Sequence, residues 1–156
     1  MAEVRFDDIE GLNTQAGEFS DWSAPLTVTQ EMINQFADLT GDHQWIHVDV
    51  DRANRESPFG GPVAHGFLTL SLIPGLAPGD QLKVVGHANA ANYGAEKLRF
   101  MSPVPAGSEV HARIRLVRAE AKPRGTLVTS EVEVGVVGAE RPALVYAMQA
   151  LYMGPA

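Results

Sequence analysis

The sequence predicts an α+β domain in which one antiparallel sheet curls around a single apolar helix. Three features lead there. Residues 65–79, HGFLTLSLIPGLAPG, are apolar in nearly every direction around a helix, the mark of a segment enclosed by other structure. The second half of the chain alternates apolar and polar residues with period two, as half-buried antiparallel strands do. No low-complexity linker interrupts the 156 residues, so a single domain over residues 1–156 is expected, with residues 1–25 a covering segment.

The first helix is expected within Thr27–Asp38 and its border, where Met32, Ile33, Phe36 and Leu39 recur at helical spacing. Thr29 supplies an N-cap oxygen and Gly41 a stop. Asp49 or Asp51 can cap a short following helix, and Ser57-Pro58 with Gly60-Gly61-Pro62 forms a loop. The enclosed helix then runs about 15 Å from Ala64 to Ile73, before Pro74 and Gly75 disturb its hydrogen bonding. Val110, Ala112, Ile114 and Leu116 share one face of a strand whose other face carries His111, Arg113 and Arg115. Val128–Val136 and Leu144–Met153 make two more strands, and Leu82–Ala90 and Glu96–Met101 two shorter ones.

Composition narrows the chemistry. With no cysteine, thiolate metal sites and thiol nucleophiles are excluded. A formal charge of −7 opposes binding to nucleic acid or anionic membranes, since phosphate attraction is summed from excess Lys and Arg. No signal-like segment opens the chain and no run nears the ~20 apolar residues of a membrane span, so a cytoplasmic location without membrane insertion is expected.

Two motifs carry reactive groups. In Gly41-Asp42-His43-Gln44-Trp45-Ile46-His47, residues 42 and 47 would point about 140° apart on a continuous helix, but can converge after a helix stop. A carboxylate and an imidazole suit general acid–base work, although the same pair reads equally as a cap beside a half-buried histidine. Gly61-Pro62-Val63-Ala64-His65-Gly66 leads into the apolar helix, whose first N–H groups lack intrahelical partners and favour an anionic oxygen. Gly66 would let a ligand approach that backbone, or serve only tight packing, with His65 a core histidine. Together the motifs contain the parts needed to add water across a C=C bond conjugated to a carbonyl.

Three segments in order resemble the MaoC-like dehydratases, or (R)-specific enoyl-CoA hydratases, and within them the NodN-like branch: GDHQWIH (41–47), AHGFLTLSL (64–72) and NYGAEKLRFMSPVPAG (92–107). The resemblance covers most of the chain beyond about Leu26. It implies a hotdog fold, a homodimer, and (R)-specific hydration of a trans-2-enoyl thioester carried by coenzyme A or acyl carrier protein, with no cofactor. It places a catalytic dyad on Asp42 and His47, the thioester-oxygen donor on the Gly66 N–H, and further substrate contacts at His65, Gln44 and Tyr93, the last at the acyl pocket. Lys97 and Arg99, two apart on a strand, are candidates for coenzyme A phosphates, as are Arg52 and Arg55.

The chain departs from the family pattern twice. Gln44-Trp45 replaces Asn-Pro, and Pro74 stands where some relatives place a serine nine residues after the H-G histidine. His43 and His47, with Asp42 or His65, have the composition of a zinc site, but continuous helix would be needed to align them, and no metal is expected. A hotdog thioesterase and a non-catalytic acyl-thioester-binding subunit are the competing functions, because fold does not fix chemistry.

Overall fold

The computed structural model describes residues 2–79 and 82–156. A five-stranded sheet is built from β2 (Leu26–Thr27), β4 (Asn89–Phe100), β5 (Glu109–Lys122), β6 (Gly125–Val136) and β7 (Leu144–Met153), in the order β2-β5-β6-β7-β4. Every neighbouring pair is antiparallel. The period-two pattern sets the faces: Ala112 lies opposite Val134 and Ile114 opposite Val132, so their apolar sides reach the core together. On the reverse face the same register brings Arg113 to Glu133 at 2.6 Å and Arg115 to Glu131 at 3.2 Å.

Against the inner face lie α5 (Gly66–Ser71) and α6 (Ile73–Leu76), whose Leu68, Ile73 and Leu76 join Val110, Val132 and Leu144 in one buried cluster. This is the hotdog arrangement. The helix differs from expectation, however, in being two short pieces joined at Leu72 and buried on one side only. Phe67 is 61% exposed and packs on the half-exposed ring of Phe100, centroids 5.7 Å apart. Hydropathy around a helix reports how much apolar surface it carries and not whether this chain alone covers it.

The two short strands expected near residues 82–101 are also redrawn. β3 (Leu82–Val85) leaves the main sheet and pairs in parallel with β1 (Ala2–Arg5). β4 runs unbroken through Asn92-Tyr93-Gly94, whose local sequence reads as a simple turn, and that preference is absorbed as register shifts at Asn92/Gly94 and Ala95/Lys97. Pairing along the length of β7 outweighs a turn preference worth little per residue. As an edge strand β4 is exposed at every position but Leu98.

Part of the segment 2–25 lies against the sheet. Helix α1 (Ile9–Thr14) drives Leu12 to full burial against Leu116, Ala119 and Val128. Beyond it, the amides of Ser20 and Ser23 donate to the carbonyls of Ile114 and Ala112, and the Arg113 guanidinium lies 4.6 Å from the ring centroids of both Phe19 and Trp22. Leu12→Ala therefore destabilises the protein by about 2–5 kcal/mol in chemical denaturation. Leu39→Ala, at a site 83% exposed, changes stability by less than about 0.5 kcal/mol.

Candidate active site

Helix α2 (Gln30–Thr40) begins where Thr29 Oγ1 accepts the Met32 N–H at 3.2 Å, and ends at Gly41, whose φ of 79° is the left-handed conformation that favours glycine. Its N–H still donates to Ala37 O at 2.8 Å. The chain then leaves the helical path for residues 42–44 before α3 (Trp45–Val48) starts. That break allows Asp42 and His47 to share a site, which a continuous helix would forbid. Asp49 caps α4 (Val50–Glu56) by accepting the Arg52 N–H at 3.0 Å.

His47 is buried, and its Nδ1 lies 2.6 Å from the carbonyl oxygen of Val63. A carbonyl can only accept, so Nδ1 carries the proton and Nε2 keeps its lone pair, the tautomer required of a base. Val63 is itself fixed: its N–H donates to Ile46 O at 3.1 Å, and the next amide, Ala64, donates to Val104 O at 2.8 Å. From α2, Gln30 Nε2 donates to the His47 carbonyl at 2.7 Å. Burial pushes the His47 pKa below its ordinary value of about 6.5. The bond to Val63 and the Asp42 charge oppose that shift, while His65 adds to it.

His65, named in the sequence both as a substrate contact and in the zinc composition, joins this cluster from outside the 41–47 motif. Its ring stacks on that of His47 with centroids 3.9 Å apart, and ligand-type atoms of Asp42, His47 and His65 all lie within 4.8 Å of one another. The cluster has the composition of a metal site, yet a tetrahedral zinc with bonds of about 2.0–2.1 Å needs donors about 3.4 Å apart whose lone pairs converge. Stacked rings at an interplanar angle of 24° direct theirs side by side. His43, the other histidine of the zinc candidate, turns away to Asp38 at 2.9 Å on the surface.

Beside the cluster is a cavity of about 310 Å³, walled by Ile46, Phe59, Phe100 and Leu144 and bordered by His47 and Gly66. Gly66 opens α5, and among the described residues its N–H has no protein acceptor. A Cβ there would come within 2.8 Å of the Phe100 ring, so the missing side chain is what lets Phe100 form the wall. Thr69 and Ser102 also line the cavity, whereas Pro74 does not.

The other sequence candidates stand outside this space. Gln44 is the exposed N-cap of α3 and makes no side-chain capping bond. Tyr93, expected at the acyl pocket, is exposed in the first half of β4 and absent from the cavity wall, which that strand reaches at its other end through Phe100. Lys97 and Arg99 are likewise exposed on β4, opposite Ala147 and Val145. Arg52 is engaged with Glu56 at 3.0 Å and lies 4.2 Å over the Trp45 ring, so the Trp45 that replaces proline braces α3 against α4. Arg55 is exposed near the end of α4.

The sequence profile of the MaoC like domain matches residues 12–138. This chain belongs to the MaoC-like family. Within that family it is 47% identical over 144 residues to 3-hydroxyacyl-thioester dehydratase Z of Mycobacterium tuberculosis, covering 90% of this chain and 92% of that protein. It is 42% identical over 145 residues to nodulation protein N of Rhizobium meliloti, covering 92% and 88%. The MaoC-like architecture also superposes on the crystal structure of a monoamine oxidase regulatory protein from Archaeoglobus fulgius, with a TM-score of 0.77, 29% identity and coverage of 99% and 98%. The N-terminal covering residues thus have counterparts in a solved structure.

The two histidines of the 41–47 motif should titrate in opposite directions. NMR titration of the imidazole C–H signals is expected to place the His47 midpoint below about 6.5 and that of His43, whose hydrogen bond to Asp38 favours the charged form, above it. For His47 the unfolded chain binds the extra proton, so its contribution favours folding at pH above about 6.5 and is lost as pH falls through the lower, folded value.

Proposed function

We propose that this protein interconverts trans-2-enoyl and (3R)-3-hydroxyacyl thioesters by adding or removing water. The observation that carries the reading is a buried histidine with its lone-pair nitrogen free, grouped with a carboxylate beside an apolar cavity bordered by an unpaired helix N–H. The dehydratase relative at 47% identity supports the same chemistry.

In the hydration direction His47 Nε2 accepts a proton from water as the water oxygen bonds to Cβ. The π electrons move toward the thioester oxygen, where the Gly66 N–H is placed to stabilise the developing charge. Asp42 orients the water, and the pair returns one proton to Cα, so the dyad gains one proton and gives one back. Hydroxyl and hydrogen are thereby added without a covalent intermediate or a cofactor. The acyl chain occupies the apolar cavity, and the carrier is coenzyme A or acyl carrier protein. For coenzyme A, Lys97 and Arg99 offer exposed cations to its phosphates.

We further propose a homodimer. β4 presents twelve residues of edge strand beside exposed Phe67 and Phe100, and an open edge next to apolar surface invites pairing with a second copy. Sedimentation at twice the mass of the chain is expected, and a monomer at micromolar concentration would exclude it.

The decisive assay follows loss of conjugated-thioester absorbance with a short enoyl-CoA while measuring free thiol. Hydration without thiol release is expected. Asp42→Asn and His47→Gln each lower kcat by about 100-fold or more. Thiol release without hydration would make the protein a thioesterase, and ligand binding without turnover a non-catalytic carrier subunit.

A further inference from the structure

His65 is 3% exposed and sits one residue before α5, outside the cavity wall. Its Nε2 lies 3.0 Å from the main-chain carbonyl oxygen of Asp42, 23 residues away in sequence. That oxygen can only accept, so Nε2 carries hydrogen. Nδ1 is buried and, among the described residues, has no partner. Buried polar atoms are normally paired, and an apolar side chain would fill this space without leaving one orphaned. What an apolar side chain could not do is hold Asp42.

In the short link from Gly41 to Gln44, the Gly41 N–H donates to Ala37 O at 2.8 Å and His43 pairs with Asp38 at 2.9 Å, but Asp42 between them is held less firmly. The Asp42 N–H reaches Thr40 Oγ1 at 3.4 Å, and the Asp42 carboxylate accepts the Gln44 N–H at 3.3 Å; both are long and local. The bond from His65 ties this link to the start of α5, where Gly66 lies. The ring is clamped in turn, stacked on His47 and packed 5.0 Å from Phe36 of α2. The titratable groups facing it are Asp42 and His47; Phe36 and Thr69 contribute no charge.

We infer that His65 is a positioning residue for the dyad: donating Nε2–H to the Asp42 carbonyl, it fixes the carboxylate relative to His47, with the two stacked imidazoles holding opposite tautomers. It touches no substrate and exchanges no proton in the reaction. The inference rests on the proposed hydration, but its structural half is measurable without turnover.

The test has two arms. In the wild-type protein, ¹⁵N spectra of labelled histidines at neutral pH report each ring's tautomer: Nε2–H for His65 and Nδ1–H for His47 are expected, and Nδ1–H at His65 would overturn the inference. In kinetics, His65→Leu removes the donor, whereas the amide of His65→Gln can restore it. His65→Leu lowers kcat by roughly 10-fold or more with KM within about twofold, as expected of a displaced reacting group, and His65→Gln recovers at least about a third of wild-type kcat. Unchanged kcat in His65→Leu, a raised KM at constant kcat, or a glutamine variant as slow as the leucine one would each overturn it. If His65→Leu fails to fold, a kcat below about a tenth of wild type in folded His65→Gln is the overturning result. A wild-type protein that hydrates no enoyl thioester would defeat the proposed function, and the tautomer spectrum alone would then decide the inference about His65.

Discussion

The hydrogen bond from His47 Nδ1 to the Val63 carbonyl, 2.6 Å long, is the contact on which the site depends. It settles which nitrogen is basic, and it does so with a backbone group that cannot rotate away. The same carbonyl belongs to a strap that bonds on one side to α3, through Ile46, and on the other to Val104 near the cavity wall. Base, wall and the entrance to α5 are therefore set by one short run of backbone. A side-chain acceptor would have oriented the imidazole equally well, but would have left its position subject to a second rotamer.

The apolar helix serves this arrangement from one side. Leu68, Ile73 and Leu76 anchor it to the sheet, which leaves its first turn, with the free Gly66 N–H, at the rim of the cavity. Its other side, around Phe67, is left exposed by the described residues, as is β4. Phe100 belongs to both regions: it ends β4, packs on Phe67 and walls the cavity by lying over Gly66. A glycine at position 66 thus does two things that seemed alternatives in the sequence. It leaves the backbone approachable, and it makes room for a ring that encloses the acyl space.

What the sequence made legible were features with local causes. Thr29 and Gly41 terminate α2 through capping and a positive φ, and the alternation from Val110 and from Val128 fixes which side of β5 and β6 is buried. Contacts between distant segments were less accessible. Asn92-Tyr93-Gly94 reads as a turn until β7 is beside it, and Tyr93 is consequently carried away from the cavity. Phe59, Ser102 and Leu144 reach the cavity from three separate parts of the chain with no shared motif. The sequence left open which groups join His47; the loop after Gly41 turns His43 to Asp38, and the strap brings His65 onto His47. Motif spacing describes one segment, whereas the cluster is made by stacking two.

That stacking has a chemical consequence for a base in a confined site. Burial and the neighbouring imidazole both depress the His47 pKa, which keeps Nε2 unprotonated near neutral pH, as the proposed proton transfer from water requires. Depression carried far would weaken the base, since proton affinity falls with pKa. Two effects restrain it: the bond to Val63 and the Asp42 charge both favour the imidazolium, the species that the proposed reaction would form. Asp42 is exposed and His47 is not, so burial tunes the imidazole while the carboxylate stands at the solvent-facing rim. A pair with both members buried would carry the cost of desolvating two ionisable groups; with Asp42 at the rim, that cost falls on His47 alone.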